Sequence, residues 1–160
     1  MKLSPLNILL NRGFDPDKKF YFISGNEITL MEKVKSIIIK KYQNENCVEI
    51  KHINSISDFV DGVGLFEDKN ICLVKDCKGL DKVSLNNIRN SLSNFIFLQE
   101  NSTKIKKVKN LFNTDSDSYL IDCYELDKDS KIKILNEFLE RNKLHISQEV
   151  YWYLVDKSEN

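Results

Sequence analysis

Short apolar runs alternate with helical stripes along most of this chain, and then the alternation stops. Phe20-Tyr21-Phe22-Ile23, aromatic and β-branched between Lys18-Lys19 and Ser24-Gly25-Asn26, predicts a buried strand. From Glu27 to Tyr42 the apolar residues Leu30, Met31, Val34, Ile37, Ile38 and Tyr42 recur at helical spacing with lysines between them, the pattern of a long amphipathic helix. Cys47-Val48-Glu49-Ile50-Lys51 alternates as a strand, Ser55 to Val60 reads as a short helix, and Ile71-Cys72-Leu73-Val74 reads as another strand. Helices are then expected around Val83 to Leu92 and Lys104 to Phe112, with strands at Phe95 to Leu98 and Tyr119 to Cys123. Ahead of all of these, Ser4-Pro5 opens a short helix, because serine caps an orphan N–H and proline at the first helical position lacks one; Gly13 offers the stop.

Five strands alternating with helices call for an α/β domain over residues 1–125, a mainly parallel sheet with helices on both faces. After Glu125 only helical patterns remain. One carries Ile132, Leu135, Phe138 and Leu139; the other opens at Ser147 and carries Val150, Tyr151, Leu154 and Val155. Residues 126–160 are therefore expected to begin a second, helical domain, because two helices with one apolar stripe each bury too little to stand alone.

Composition narrows the classes. The 160 residues are 30% charged and 41% hydrophobic, the balance of a soluble globular protein. Twenty-four basic and 24 acidic residues cancel, which excludes a surface that is everywhere an electrostatic trap for nucleic acid but leaves room for a local basic face. The opening apolar run is too short for a signal peptide and no stretch reaches the roughly 18 apolar residues of a membrane span, so a cytoplasmic location without a membrane partner is expected. For Cys47, Cys72, Cys77 and Cys123 no Cys-x-x-Cys pair or nearby histidine completes a zinc pattern, which predicts buried free thiols rather than a zinc site. His52 and His145 are isolated and read as surface or packing residues.

Candidate chemistry begins at the first strand–helix junction, where a parallel α/β domain would hold a phosphate on helix N–H groups. Here the junction is Ser24-Gly25-Asn26-Glu27, without the glycine spacing, lysine or hydroxyl of a phosphate loop, and Glu27 places negative charge where a phosphate would lie. Asp76, after an apolar strand, occupies the place of a magnesium-holding carboxylate, yet one carboxylate without those partners makes no nucleotide site. No catalytic residue, metal or cofactor is expected. The stretch Asp61-Gly62-Val63-Gly64-Leu65-Phe66-Glu67-Asp68-Lys69 is different, since it sets two large apolar side chains beside glycines and between acids. Leu65 and Phe66 either project as a tip or tuck back into the core. Lys104, Lys106, Lys107 and Lys109 cluster on a helix whose other face is apolar, a solvated face or a possible DNA contact. Trp152, with Tyr151 and Tyr153, reads as packing rather than a platform for stacking bases.

Three features resemble the delta subunits of bacterial clamp loaders. The first is Met1-Lys2-Leu3 with its short helix, followed by Phe20 to Glu27 leading into a long helix. The second, and most specific, is Gly64-Leu65-Phe66-Glu67 shortly before the strand at Ile71. The third is Tyr124-Glu125-Leu126 leading to Ile132, Phe138-Leu139 and Leu144-His145-Ile146-Ser147. The resemblance spans nearly the whole chain and implies an AAA+-like, P-loop-NTPase-type sheet without Walker motifs, followed by the start of a small helical lid. It implies a non-catalytic part of a DNA polymerase holoenzyme. In that role Leu65 and Phe66 would bind the sliding clamp and help open its ring, with the other clamp-loader subunits as partners and DNA met indirectly within the complex. The family's further helical collar has no counterpart here, so a shortened form is expected, and Gly64 stands where many relatives have a small polar residue. Two other readings are a degenerate nucleotide-binding enzyme using Asp76 and the helix near Glu27, and a DNA-contacting module using the helix over 104–109.

Overall fold

The computed structural model describes residues 1–11, 14–45, 48–59, 69–77, 79–100 and 105–157, the side chains at 44 and 45 excepted. Its centre is β2 (Phe20–Gly25), buried along its whole length. β2 runs parallel to β5 (Asn94–Glu100) on one side and to β6 (Ser118–Cys123) on the other. Beyond β5 lie β4 (Asn70–Val74) and β3 (Glu49–Ile53); beyond β6 lies β1 (Lys2–Leu3). All five pairings are parallel, in the order β1-β6-β2-β5-β4-β3.

One strand more than the expected five is present. β1 is two residues long, too short to leave a periodic signal, and is held by the amino terminus, which donates to the Ser118 carbonyl at 2.9 Å, and by Leu120 N–H donating to the Met1 carbonyl at 2.9 Å. The strand expected at 47–51 begins at Glu49 and runs to Ile53, because Val48 drops into the core beneath the sheet before pairing with β4 starts. The helix expected from Ser55 shrinks to a single 3-10 turn, Ile56–Asp58, closed by a reciprocal Ser55/Asp58 capping box. Phe59 then leaves in extended conformation and meets Phe95 edge-on at 4.9 Å, a core contact that a longer helix would have forfeited.

Two apolar layers flank the sheet. On one face α1 (Pro5–Leu9) and α2 (Ile28–Glu45) cover Tyr21, Ile23, Ile71, Ile96 and Ile121 with Ile8, Met31, Val34 and Ile38. Polar tips inside that layer are satisfied, for the hydroxyls of Tyr21 and Tyr42 lie 2.9 Å apart and Tyr42 donates to the Lys18 carbonyl at 3.0 Å. On the other face α3 (Lys82–Arg89) and α4 (Ile105–Thr114) cover Phe20, Phe22, Phe95 and Phe97 with Leu85, Ile88 and Phe112. Phe112 stacks on Phe22 with ring centroids 4.7 Å apart.

Helix ends follow local rules more than the glycines first suggested. α1 stops at Leu9 and the chain turns through Asn11 at φ +52°, a left-handed conformation asparagine tolerates. After β6 come α5 (Lys128–Arg141) and α6 (Gln148–Lys157), with Asp127 capping α5 through Ser130 N–H at 2.8 Å. α5 ends in a Schellman turn in which Leu144 N–H reaches the Leu139 carbonyl and Lys143 sits at φ +52°. The α5–α6 pair leaves Phe138, Trp152 and Tyr153 half exposed.

The two phenylalanines of opposite burial give a direct check. Phe112→Ala, at 0% exposure, should lower unfolding free energy in urea by about 3–5 kcal/mol. Phe138→Ala, at 55% exposure, should lower it by less than about 1 kcal/mol.

The carboxyl edge of the sheet as candidate functional site

Open parallel sheets hold ligands at the carboxyl ends of their strands, where strand order reverses. In this sheet that place is the end of β2, between β5 and β6, and it is shut. Gly25 is still paired, opposite Glu100 on β5 and Cys123 on β6. A Cβ added to Gly25 would lie 1.7 Å from the Cys123 carbonyl oxygen, so only glycine fits so close an approach. Two residues later Glu27 N–H donates to that same carbonyl at 3.2 Å, and α2 begins at Ile28. A phosphate loop needs several free N–H groups around an open turn. Here Asn26 and Glu27 are the whole junction, and the Glu27 N–H is taken by β6.

Charge points the same way. Glu27, Glu100 and Asp122 stand at or beside this edge, each a carboxylate where a phosphate would need a cation. Asp76 follows β4 and its N–H donates to the Asn54 carbonyl at 2.8 Å, which ties it to the chain just past the carboxyl end of the parallel strand β3. Among the described residues no group of three or more histidine, cysteine or acidic side chains is arranged to hold a metal ion. A groove of about 830 Å³ opens between α2 and α5, lined by Glu27, Leu30, Lys33, Tyr124, Lys131 and Ile134 among others. Its walls are mixed in charge, with Lys131 3.6 Å from Glu125.

Leu65 and Phe66 lie outside the described residues. Earlier in the sequence Phe59 packs on Phe95, and later β4 begins at Asn70. Beside Phe59 lies a hollow of about 610 Å³ lined by Ile56, Leu80 and Ile88 with the polar Ser55, Asp76 and Asn87.

The basic helix divides. Lys104 lies outside the described residues, Lys106 and Lys107 are exposed on α4, and Lys109 is turned inward. Lys109 Nζ donates to Asp122 Oδ1 at 2.8 Å and to the Tyr124 hydroxyl at 2.9 Å. Asp122 is paid a second cation, Lys2 at 2.9 Å. Burial pushes the Asp122 carboxyl up, but the bonds from Lys109 and Lys2 prevail and hold it below the usual carboxylate range. Periodicity could not reveal this, since Lys109 and Asp122 sit on different elements; a carboxylate at the last-but-one position of an apolar strand was the available signal.

Cys72, Cys77 and Cys123 are buried and form no disulfide among the described residues, and burial pushes the thiols of Cys77 and Cys123 up to about 12. Cys47 lies outside the described residues. His52 and His145 are exposed. Trp152 meets Tyr151 edge-on at 5.4 Å, and the Tyr151 hydroxyl donates to Asn136 Oδ1 at 2.9 Å, which makes Tyr151 a tie between α6 and α5.

No protein-family model and no curated protein sequence matches the chain. Among solved structures it is similar to the Bacillus subtilis DNA clamp loader delta protein, with 16% identity and a TM-score of 0.56 over 94% of this chain and 50% of that one. The fold, a parallel sheet with helices on both faces, is thus one that this chain shares with that protein. The chain spans about half the length of that protein. It also aligns with domain III of the Thermotoga maritima replication initiation protein DnaA, at 16% identity and a TM-score of 0.42 over 94% of this chain and 72% of that one. A Drosophila ORC chain bound to DNA aligns at 15% identity and a TM-score of 0.43, over 86% of this chain and 48% of that one. At those scores the two add nothing to the fold assignment.

The closed junction has a stability consequence. Gly25→Ala should cost about 3 kcal/mol in urea unfolding, at the upper end of overpacking penalties, because the clash is with backbone. Asn26→Ala, exposed one residue on, should change it by about 0.5 kcal/mol or less.

Proposed function

We propose that this chain acts by binding alone, as a non-catalytic clamp-loader subunit that grips the sliding clamp of DNA replication and helps open its ring. The observation that carries this reading is a closed β2–α2 junction inside a fold shared with a clamp loader delta protein. A fold of ATPase type that has given up the phosphate loop has kept its shape for another purpose, and partner binding is the use that needs no chemistry. Leu65 and Phe66 are the proposed anchor, the other clamp-loader subunits are proposed partners, and residues 126–160 are proposed as the start of the lid. Full burial of two such side chains contributes about 1.5–3 kcal/mol each, enough to dominate a small interface.

The nucleotide-binding alternative asks Asp76 and the start of α2 to hold a phosphate beside Glu27 and Glu100, and nothing in the geometry favours it. A DNA-contacting role for α4 rests on Lys106 and Lys107, because Lys109 is committed to Asp122 and Tyr124. Two exposed lysines give a shallow salt dependence, suited to a minor contact inside a larger assembly.

The double substitution Leu65→Ala with Phe66→Ala separates an anchor from a core pair. As an anchor, it should weaken titrated clamp affinity by about 30- to 1,000-fold. Urea stability should then move by less than about 1 kcal/mol. Unchanged affinity with a stability loss of roughly 3–5 kcal/mol would assign the pair to the core and remove the proposed interface.

A further inference from the structure

Tyr124 to Leu126 carry the chain from β6 to the Asp127 cap of α5 without regular secondary structure. Such a segment is free to rotate unless side chains hold it. One side chain from the helical layer does. Lys109, in the second turn of α4, bonds Asp122 near the end of β6 at 2.8 Å and the hydroxyl of Tyr124, the first residue of the linker, at 2.9 Å. Its ammonium also lies 5.2 Å from the centroid of the Tyr124 ring. An exposed ion pair constrains little, because water and salt compete for both partners. This pair is largely enclosed, at 17% and 15% side-chain exposure, and Lys2 and Ser24 steady Asp122 from its other sides. The bond to Tyr124, a residue 40% exposed, is the unusual one, since it crosses the point where the chain leaves the sheet.

We propose that Lys109 is a positioning residue, a latch that sets the angle between the α5–α6 pair and the sheet by holding Tyr124 to α4. The pair has another attachment, where α5 packs on α1. That contact remains when the latch is removed, so the pair stays attached and gains freedom to tilt about α1. Tyr124 also lines two spaces, the groove of about 830 Å³ toward α2 and a cleft of about 500 Å³ beside β1. The latch therefore fixes the width of the groove as well as the angle of the pair. The inference stands on these distances and is independent of whether Leu65 and Phe66 grip a clamp.

Spin labels at Lys40→Cys on α2 and Glu140→Cys on α5, both exposed, report the angle as a distance distribution in the full chain carrying Cys47→Ser. Lys109→Met should broaden that distribution at least about twofold, as several conformers become populated. Lys109→Arg, which keeps the positive charge and more than one N–H donor, should restore most of the original width, and Tyr124→Phe, which keeps the ring and loses one bond, should fall between. An unchanged distribution in Lys109→Met, with or without a loss of stability, would overturn the latch and leave an ordinary structural ion pair. Should Lys109→Met not fold, Tyr124→Phe carries the test, and a wild-type width there overturns the proposal equally.

Discussion

The close approach of Gly25 to the Cys123 carbonyl, which leaves no room for a Cβ, is the constraint on which this architecture depends. β2 is the one strand bonded on both sides from end to end while apolar layers cover both its faces, so the two halves of the sheet and both layers are positioned through it. Its pairing continues through the place where an ATPase sheet would release the chain into a loop. Because Gly25 lacks a Cβ, β6 can stay paired to the last residue of β2, and its carbonyl then takes the Glu27 N–H as well. α2 follows at once. Loss of the loop and tight closure of the sheet are one structural fact seen from two sides.

The carboxyl edge shows a redistribution of charge: Asp122 is held by Lys109 and Lys2, with Glu27 and Glu100 beside it. The same redistribution removes Lys109 from the basic face of α4 and places it at the exit from the sheet. A surface lysine in the sequence thus becomes an internal strut in the structure.

The elements most legible in the sequence were those with the strongest periodicity: the aromatic run of β2, the stripe of α2 and the apolar runs of β4, β5 and β6. Two-sided burial imposes the continuous apolar runs of the strands and one-sided burial the stripe of α2, and both leave their mark in sequence directly. What escaped notice had other causes. β1 is two residues long and owes its place to the amino terminus; β3 starts late because Val48 is needed beneath the sheet; the turn after Ser55 is short because Phe59 is needed on Phe95. At the site, the missing phosphate loop could be read from Ser24 to Glu27 alone. The Lys109, Asp122 and Tyr124 cluster could not, because it exists only once α4 has packed beside β6.

The central proposal is that this sheet, closed at the carboxyl end of β2, holds no nucleotide and acts by binding partners. Calorimetric titration of the full chain with ATP and magnesium tests it most directly. The account predicts no saturable heat up to about millimolar nucleotide, where even a weak specific site would register. A stoichiometric, magnesium-dependent site with a dissociation constant of about micromolar order, weakened by substitution at Asp76, would contradict it.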